Sequence, residues 1–145
     1  LRWLTQLFGT DQQPPQNTQH DLHRAAAALL LEVARTDGEV DEDEIRHLMD
    51  TVHLRWHLDP GEMLDIMGEL EARLDQATDL FEFTAPLREH WDPETRVKLI
   101  EDMWAMAAAD GKADVYEEHM IRRVSDLLYV SHGDYIRAKI KAMNS

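Results

Sequence analysis

Residues 37–44 read Asp37-Gly38-Glu39-Val40-Asp41-Glu42-Asp43-Glu44, and residues 110–117 read Asp110-Gly111-Lys112-Ala113-Asp114-Val115-Tyr116-Glu117. Both fit Asp-Gly-x-(small or apolar)-Asp-x-x-Glu, and the second follows the first by 73 residues, about half the chain. Each copy follows an alanine-rich apolar stretch and precedes a segment with helical spacing; Leu48 and Ile121 match four positions further on. This reads as one helix–loop–helix unit used twice. Gly38 and Gly111 suit the left-handed residue that ends a helix, where a side chain is costly. Asp41 with Glu44, and Asp114 with Glu117, have the spacing of a capping box at the start of the next helix. Val40 and Ala113 can face the core.

Caps leave Asp37 and Asp110 unexplained. Each stands at the negative end of a helix dipole, where a carboxylate costs roughly 0.3–1 kcal/mol. A local bond to the following backbone can offset that cost, and so can a cation. Two readings follow: a tight interhelical turn used twice, or a hard-cation site made by Asp37, Asp41 and Glu44 with Asp110, Asp114 and Glu117. Oxygen-only ligands favour Ca²⁺, Mg²⁺ or Mn²⁺, and Zn²⁺ is not excluded. The pattern also equals the second half of an EF-hand loop. The two carboxylate positions that should precede it hold Val33 and Arg35 in one copy and Met106 and Ala108 in the other, so an EF-hand is not expected.

Outward from the loops, helical signals fill the chain. Leu22, Ala25, Ala26, Leu29, Leu30, Val33 and Ala34 keep helical spacing up to Gly38, and the next helix runs to about His57. Asp59-Pro60 and Asp92-Pro93 are N-caps followed by proline at the first helical position. Asp79 caps a shorter helix through Leu87, with Pro86 near its end or kinking it. Val97, Leu99, Ile100, Met103, Trp104 and Ala107 share a helix that stops at Gly111. Ile121, Val124, Leu127 and Leu128 follow the second loop, and Ser131 caps a last helix through about Met143. No strand pattern stands out. The fold class expected is all-α, a compact pseudo-symmetric bundle of about seven helices, occupying residues 20–145. Residues 1–19 read as a short amphipathic helix (Trp3, Leu4, Leu7, Phe8) and a polar, proline-containing linker. That segment either packs on the body or a neighbouring chain, or makes shallow peripheral contact with a membrane.

The 145 residues carry 29 acidic and 15 basic side chains, a net charge of −14 with neutral histidine. Such a chain repels a phosphate backbone, which argues against nucleic acid and for cations or basic protein partners. Hydrophobic residues make up 43%, enough for one core. Cysteine is absent, which removes disulfides and thiolate metal sites and fits the cytoplasm. No apolar run approaches a membrane span, and no signal peptide is visible.

Other groupings carry less. His53 and His57 share a helical face as zincin histidines do, but Leu54 stands where the general base belongs. His20, His23, His47, His90, His119 and His132 show no ligand spacing. Glu32, Glu69, Glu71, Glu101 and Asp102 read as solvated helix faces. Trp56, Trp91, Trp104 and most methionines read as core. Ser125 and Ser131 lack the turn of a nucleophilic serine, and no phosphate-binding glycine loop is present. No catalytic residue is expected. A metal-dependent hydrolase would need an open coordination position beside an acid or base, and neither is visible.

At the two loops the chain resembles the TerB-like superfamily. The resemblance rests on Ala25-Ala26-Ala27-Ala28-Leu29-Leu30-Leu31-Glu32-Val33-Ala34-Arg35-Thr36-Asp37-Gly38 with Asp41 and Glu44. It rests equally on Trp104-Ala105-Met106-Ala107-Ala108-Ala109-Asp110-Gly111 with Asp114 and Glu117. Ile121 to Leu128 and Ser131 to Ile136 extend it, so that it covers roughly residues 20–143. It implies a seven-helix bundle, a metal site at the acidic loops, and a part in tellurite resistance and stress response. The chain is also similar to the N-terminal region of the co-chaperone DjlA. It has no His-Pro-Asp tripeptide of a J domain, so Hsp70 stimulation is not expected. Lys112, where the first loop has Glu39, weakens cation attraction in the second.

Overall fold

A computed structural model describes residues 15–36, 41–72, 80–109, 111 and 113–144. These form seven helices and no strand: α1 Pro15–Ala34, α2 Glu42–Trp56, α3 Pro60–Glu71, α4 Leu80–His90, α5 Pro93–Ala107, α6 Val115–Leu127 and α7 His132–Met143. The expected all-α bundle is what the chain adopts. The segment around Trp3–Phe8 and the Asp79 cap lie outside the described residues.

The bundle is organised around α1. From Ala26 to Ala34 every residue but Glu32 is buried, so this half of the helix has almost no solvent face, as an all-round apolar sequence requires. It packs against α2, α3, α4, α5 and α6. Ala26, Ala27 and Ala28 keep its girth small, which lets several helices approach at once. The second repeat supplies a matching buried helix. Leu99, Ile100, Met103, Trp104, Met106 and Ala107 of α5 are buried, and α5 packs along α7, α6, α1 and α2. Thus α1–loop–α2 and α5–loop–α6 are the two copies. Leu48 and Ile121, the matched apolar positions, are both at 0% exposure.

Helix ends follow local chemistry. Asp59 accepts from the Glu62 N–H at 2.9 Å, Asp92 from Thr95 at 2.8 Å and Ser131 from Asp134 at 3.1 Å. α2 stops at His57, which takes a left-handed conformation (φ 58°); its N–H donates to His53 O at 2.9 Å and the Leu58 N–H to Val52 O at 3.2 Å. The last carbonyls of α6 are met from other helices: Arg88 of α4 donates to Leu127 O at 3.1 Å and Arg96 of α5 to Leu128 O at 2.8 Å. Tyr129, left-handed at φ 58°, lies over the Arg88 guanidinium at 4.5 Å.

Two boundaries differ from the sequence reading. α1 opens at Pro15, inside the stretch read as linker, because proline needs no N–H in the first helical turn. α4 continues past Pro86 to His90. Leu80, Thr84 and Leu87 form one buried stripe on it, and packing on α1 and α6 holds the helix through the missing bond.

Asp102 is a correction. Read as part of a solvated face, it is buried, its side chain 8% exposed. Arg55 of α2 grips it with two bonds, Nε to Oδ2 at 2.9 Å and Nη2 to Oδ1 at 2.8 Å. Burial raises the Asp102 pKa, and the Arg55 bonds and charge oppose that shift. The pair ties the first copy to the second. Near the start of α1, His23 stacks on Trp56 at 5.9 Å, Trp56 meets Trp91 at 6.4 Å, and His20 lies 2.9 Å from Glu62. The pKa of His23 is lowered by burial first, and then by the nearby His20 and His57.

Two outcomes are expected. Arg55→Met leaves a buried carboxylate without its partner and lowers unfolding stability in urea by about 2–3 kcal/mol; this is below the full cost for a buried pair because Arg55 is partly exposed. Arg55→Met with Asp102→Leu recovers most of that loss. For His23, the unfolded chain takes up the proton first as pH falls below 6.5. Its contribution is therefore present at neutral pH and declines on acidification through the folded pKa. Thermal midpoints measured across that window fall less steeply in His23→Phe, which keeps the stacking and loses the titration.

Candidate functional site

The first loop delivers Asp41 to the N-cap of α2 in extended conformation (φ −71°, ψ 139°). Its Oδ1 accepts from the Asp43 N–H at 2.7 Å and the Glu44 N–H at 3.3 Å. The second loop repeats the device. Asp114 Oδ1 accepts from the Tyr116 N–H at 2.7 Å, and Glu117 Oε1 accepts from the Asp114 N–H at 3.2 Å, closing a capping box. Gly111 has φ +103°, the conformation for which glycine is needed. Ala113 packs against the core. Asp37 and Asp110, with Gly38, Val40 and Lys112, lie outside the described residues.

Glu44 and Glu117 go further than capping demands. They are 5% and 2% exposed, although a capping box is usually formed at the surface. A buried carboxylate is costly unless bonded or paired; both copies carry one at the same place, and the Asp114 N–H is one of the partners of Glu117. The caps engage Oδ1 of each aspartate. A carboxylate has two oxygens with about four lone-pair sites, so a capping aspartate keeps capacity to ligate a cation through Oδ2.

The two copies approach one another at the surface. Thr36, which leads into the first loop, lines an open concavity of about 430 Å³ with Tyr116, His119, Met120, Arg122, Arg123 and Asp126 of α6. Chain entering loop one and chain leaving loop two therefore border the same hollow. Among the described residues, no three acidic or histidine side chains gather as a metal site.

Arg35 and Glu32 form a pair that the sequence reading did not single out. Arg35 Nη1 lies 3.9 Å from Glu32 Oε1 on the last turns of α1, with the Glu32 side chain 15% exposed. Burial raises the Glu32 pKa, and Arg35 pulls it down. The signal for this pair was present, an acid in an otherwise apolar run, and was read as surface. His53 and His57 are exposed, as a surface pair should be. No described helix is long and apolar enough to cross a membrane.

Capping has a separable cost. Asp41→Ala and Asp114→Ala are each expected to lower stability by about 1 kcal/mol, whereas Asp→Asn at either position stays within a few tenths, because asparagine caps nearly as well. Chemical denaturation of the four variants checks this.

The comparisons with known proteins add one match. The family model described as tellurite resistance protein TerB matches residues 23–140. No curated protein and no solved structure matches. The match spans both helix–loop–helix copies and all seven described helices in whole or part. The chain belongs to the TerB family of tellurite resistance proteins.

Proposed function

We propose that this chain is a non-enzymatic, cytoplasmic accessory domain of the tellurite-resistance and stress-response type, which binds a divalent cation through its two acidic loops. The observation that carries the reading is the doubled loop with a buried glutamate in each copy, Glu44 and Glu117. Asp41 and Asp114 stand beside them at the helix caps. Asp37 and Asp110 complete the proposed ligand set of six. An all-carboxylate set suits Ca²⁺, Mg²⁺ or Mn²⁺, which take hard oxygen donors, and does not exclude Zn²⁺. The net charge of −14 raises the local concentration of any cation. Absence of cysteine fits a reducing compartment.

A second reading has its own support. Asp41 and Asp114 already serve as caps, so the loops work as architecture without any ion. The domain would then act by binding a protein, a basic one given its charge.

Titration calorimetry on the metal-stripped chain distinguishes the two. The cations are Ca²⁺, Mg²⁺, Mn²⁺ and Zn²⁺, and the comparison is Asp37→Asn/Asp110→Asn together with the cap-preserving Asp41→Asn/Asp114→Asn. Saturable binding that weakens at least about tenfold in both double variants, roughly 1.4 kcal/mol, is expected. Binding that is absent, or that neither variant changes, overturns the cation reading and leaves the loops as caps.

A further inference from the structure

Where α1 meets the end of α2 and the start of α3, histidines gather that neither the loops nor the caps use. Between Gln19 and Ala25 only Leu22 is buried, so this part of α1 is held to the body more by side chains at its surface than by core. Three contacts are made there. The His23 ring stacks on Trp56, with centroids 5.9 Å apart and planes 20° from parallel. His20 Nε2 lies 2.9 Å from Glu62 Oε2. Arg24 donates to Glu69 Oε1 at 3.1 Å. Trp56 in turn meets Trp91 at 6.4 Å, and both indoles pack against the core as partly buried groups.

The charges that act on His23 are those of two other histidines, His20 on its own helix and His57 immediately after Trp56. The acids of the junction have other tasks. Glu62 holds His20, Glu69 holds Arg24, and Asp59 caps α3. Arg55, beside Trp56 in sequence, holds Asp102. Asp21, His53, Glu89 and His90 are exposed to solvent. Two effects compete when His23 takes up a proton. A cation over an indole is attracted to its face, but that attraction reaches only about 6 Å, and a stack at 5.9 Å is at its limit. Against it stand the half-buried position of the ring and the repulsion of His20 and His57 when they too are charged. The net effect lowers the His23 pKa from 6.5, by burial first. Opening the first turns of α1 hydrates the ring and separates it from both neighbours. The open form therefore binds the proton more readily, and acidification favours it.

We propose that the start of α1 is an acid-released strap: protonation of His23, crowded by His20 and His57, lifts the first turns of α1, through His23, off the body and bares the Trp56–Trp91 pair. The buried run from Ala26 onward keeps the rest of the bundle folded. A segment that carries one buried side chain opens at far lower cost than the whole domain. At neutral pH the strap is closed and the indoles are covered.

Hydrogen exchange of the full chain, read by mass spectrometry at about pH 7.5 and about pH 5.5, either side of the histidine range, tests this once the intrinsic pH dependence of exchange is removed. Amides of Gln19 to His23 are expected to lose protection at least about tenfold on acidification, roughly the change that one pK unit of linkage gives. Those of α5 from Leu99 to Met106 are expected to keep theirs. His23→Phe keeps an aromatic ring on Trp56 and removes the titration, and is expected to abolish the acid effect. His57→Asn keeps a residue that accepts the left-handed turn and removes one like charge, and is expected to reduce it. Protection that is unchanged or greater at the lower pH shows that attraction to the indole prevails, and overturns the proposal. An acid effect that persists in His23→Phe, that His57→Asn leaves intact, or that α5 shares equally as in global unfolding overturns it as well.

Discussion

A half-helix with almost no solvent face governs this fold. Once α1 is apolar on all sides from Ala26 onward, it must be surrounded, and five helices do so. The alanines that make it slender decide how many neighbours fit. The second copy of the unit supplies α5, the other well-buried helix, and α5 lies against α1 while carrying α7 along its far side. Every other helix needs only one apolar stripe, which frees its outer surface for charge. The high acidity is thus tolerated because none of it is needed to build the centre.

Some of the polar groups that enter the interior come with bonded partners, and these bonds join the copies. Arg55 and Asp102 connect α2 to α5 through a bidentate pair. Arg88 and Arg96 reach from α4 and α5 to the carbonyl end of α6. A bundle held by apolar stripes alone tolerates sliding of one helix along another. Directional bonds between fixed atoms fix the register, which is their best-attested contribution.

The two loops repeat one capping device. As caps, Asp41 and Asp114 satisfy N–H groups that a helix start leaves open. Each uses Oδ1 for that purpose. Burial of Glu44 and Glu117 beneath them is the feature that capping alone does not require.

The sequence by itself determined the helices and most of their ends. Spacing of apolar residues is a local property, and so are the caps Asp59, Asp92, Ser131, Asp41 and Asp114 and the glycine at 111, because the bonds involved span only a few residues. The repeat and the family were legible for the same reason: they are written in contiguous motifs. Tertiary structure alone decided which surface residues were not surface at all. Asp102 sits in a helical pattern that looks solvated, and only the arrival of Arg55 from 47 positions away shows that it is buried and paired. The meeting of His20 and His23 with His57 likewise depends on how α1 lies against the end of α2. The short-range physics of turns and caps is encoded residue by residue, whereas burial, charge pairing and concavity are set by which helix faces meet, and no single stretch of chain contains that information.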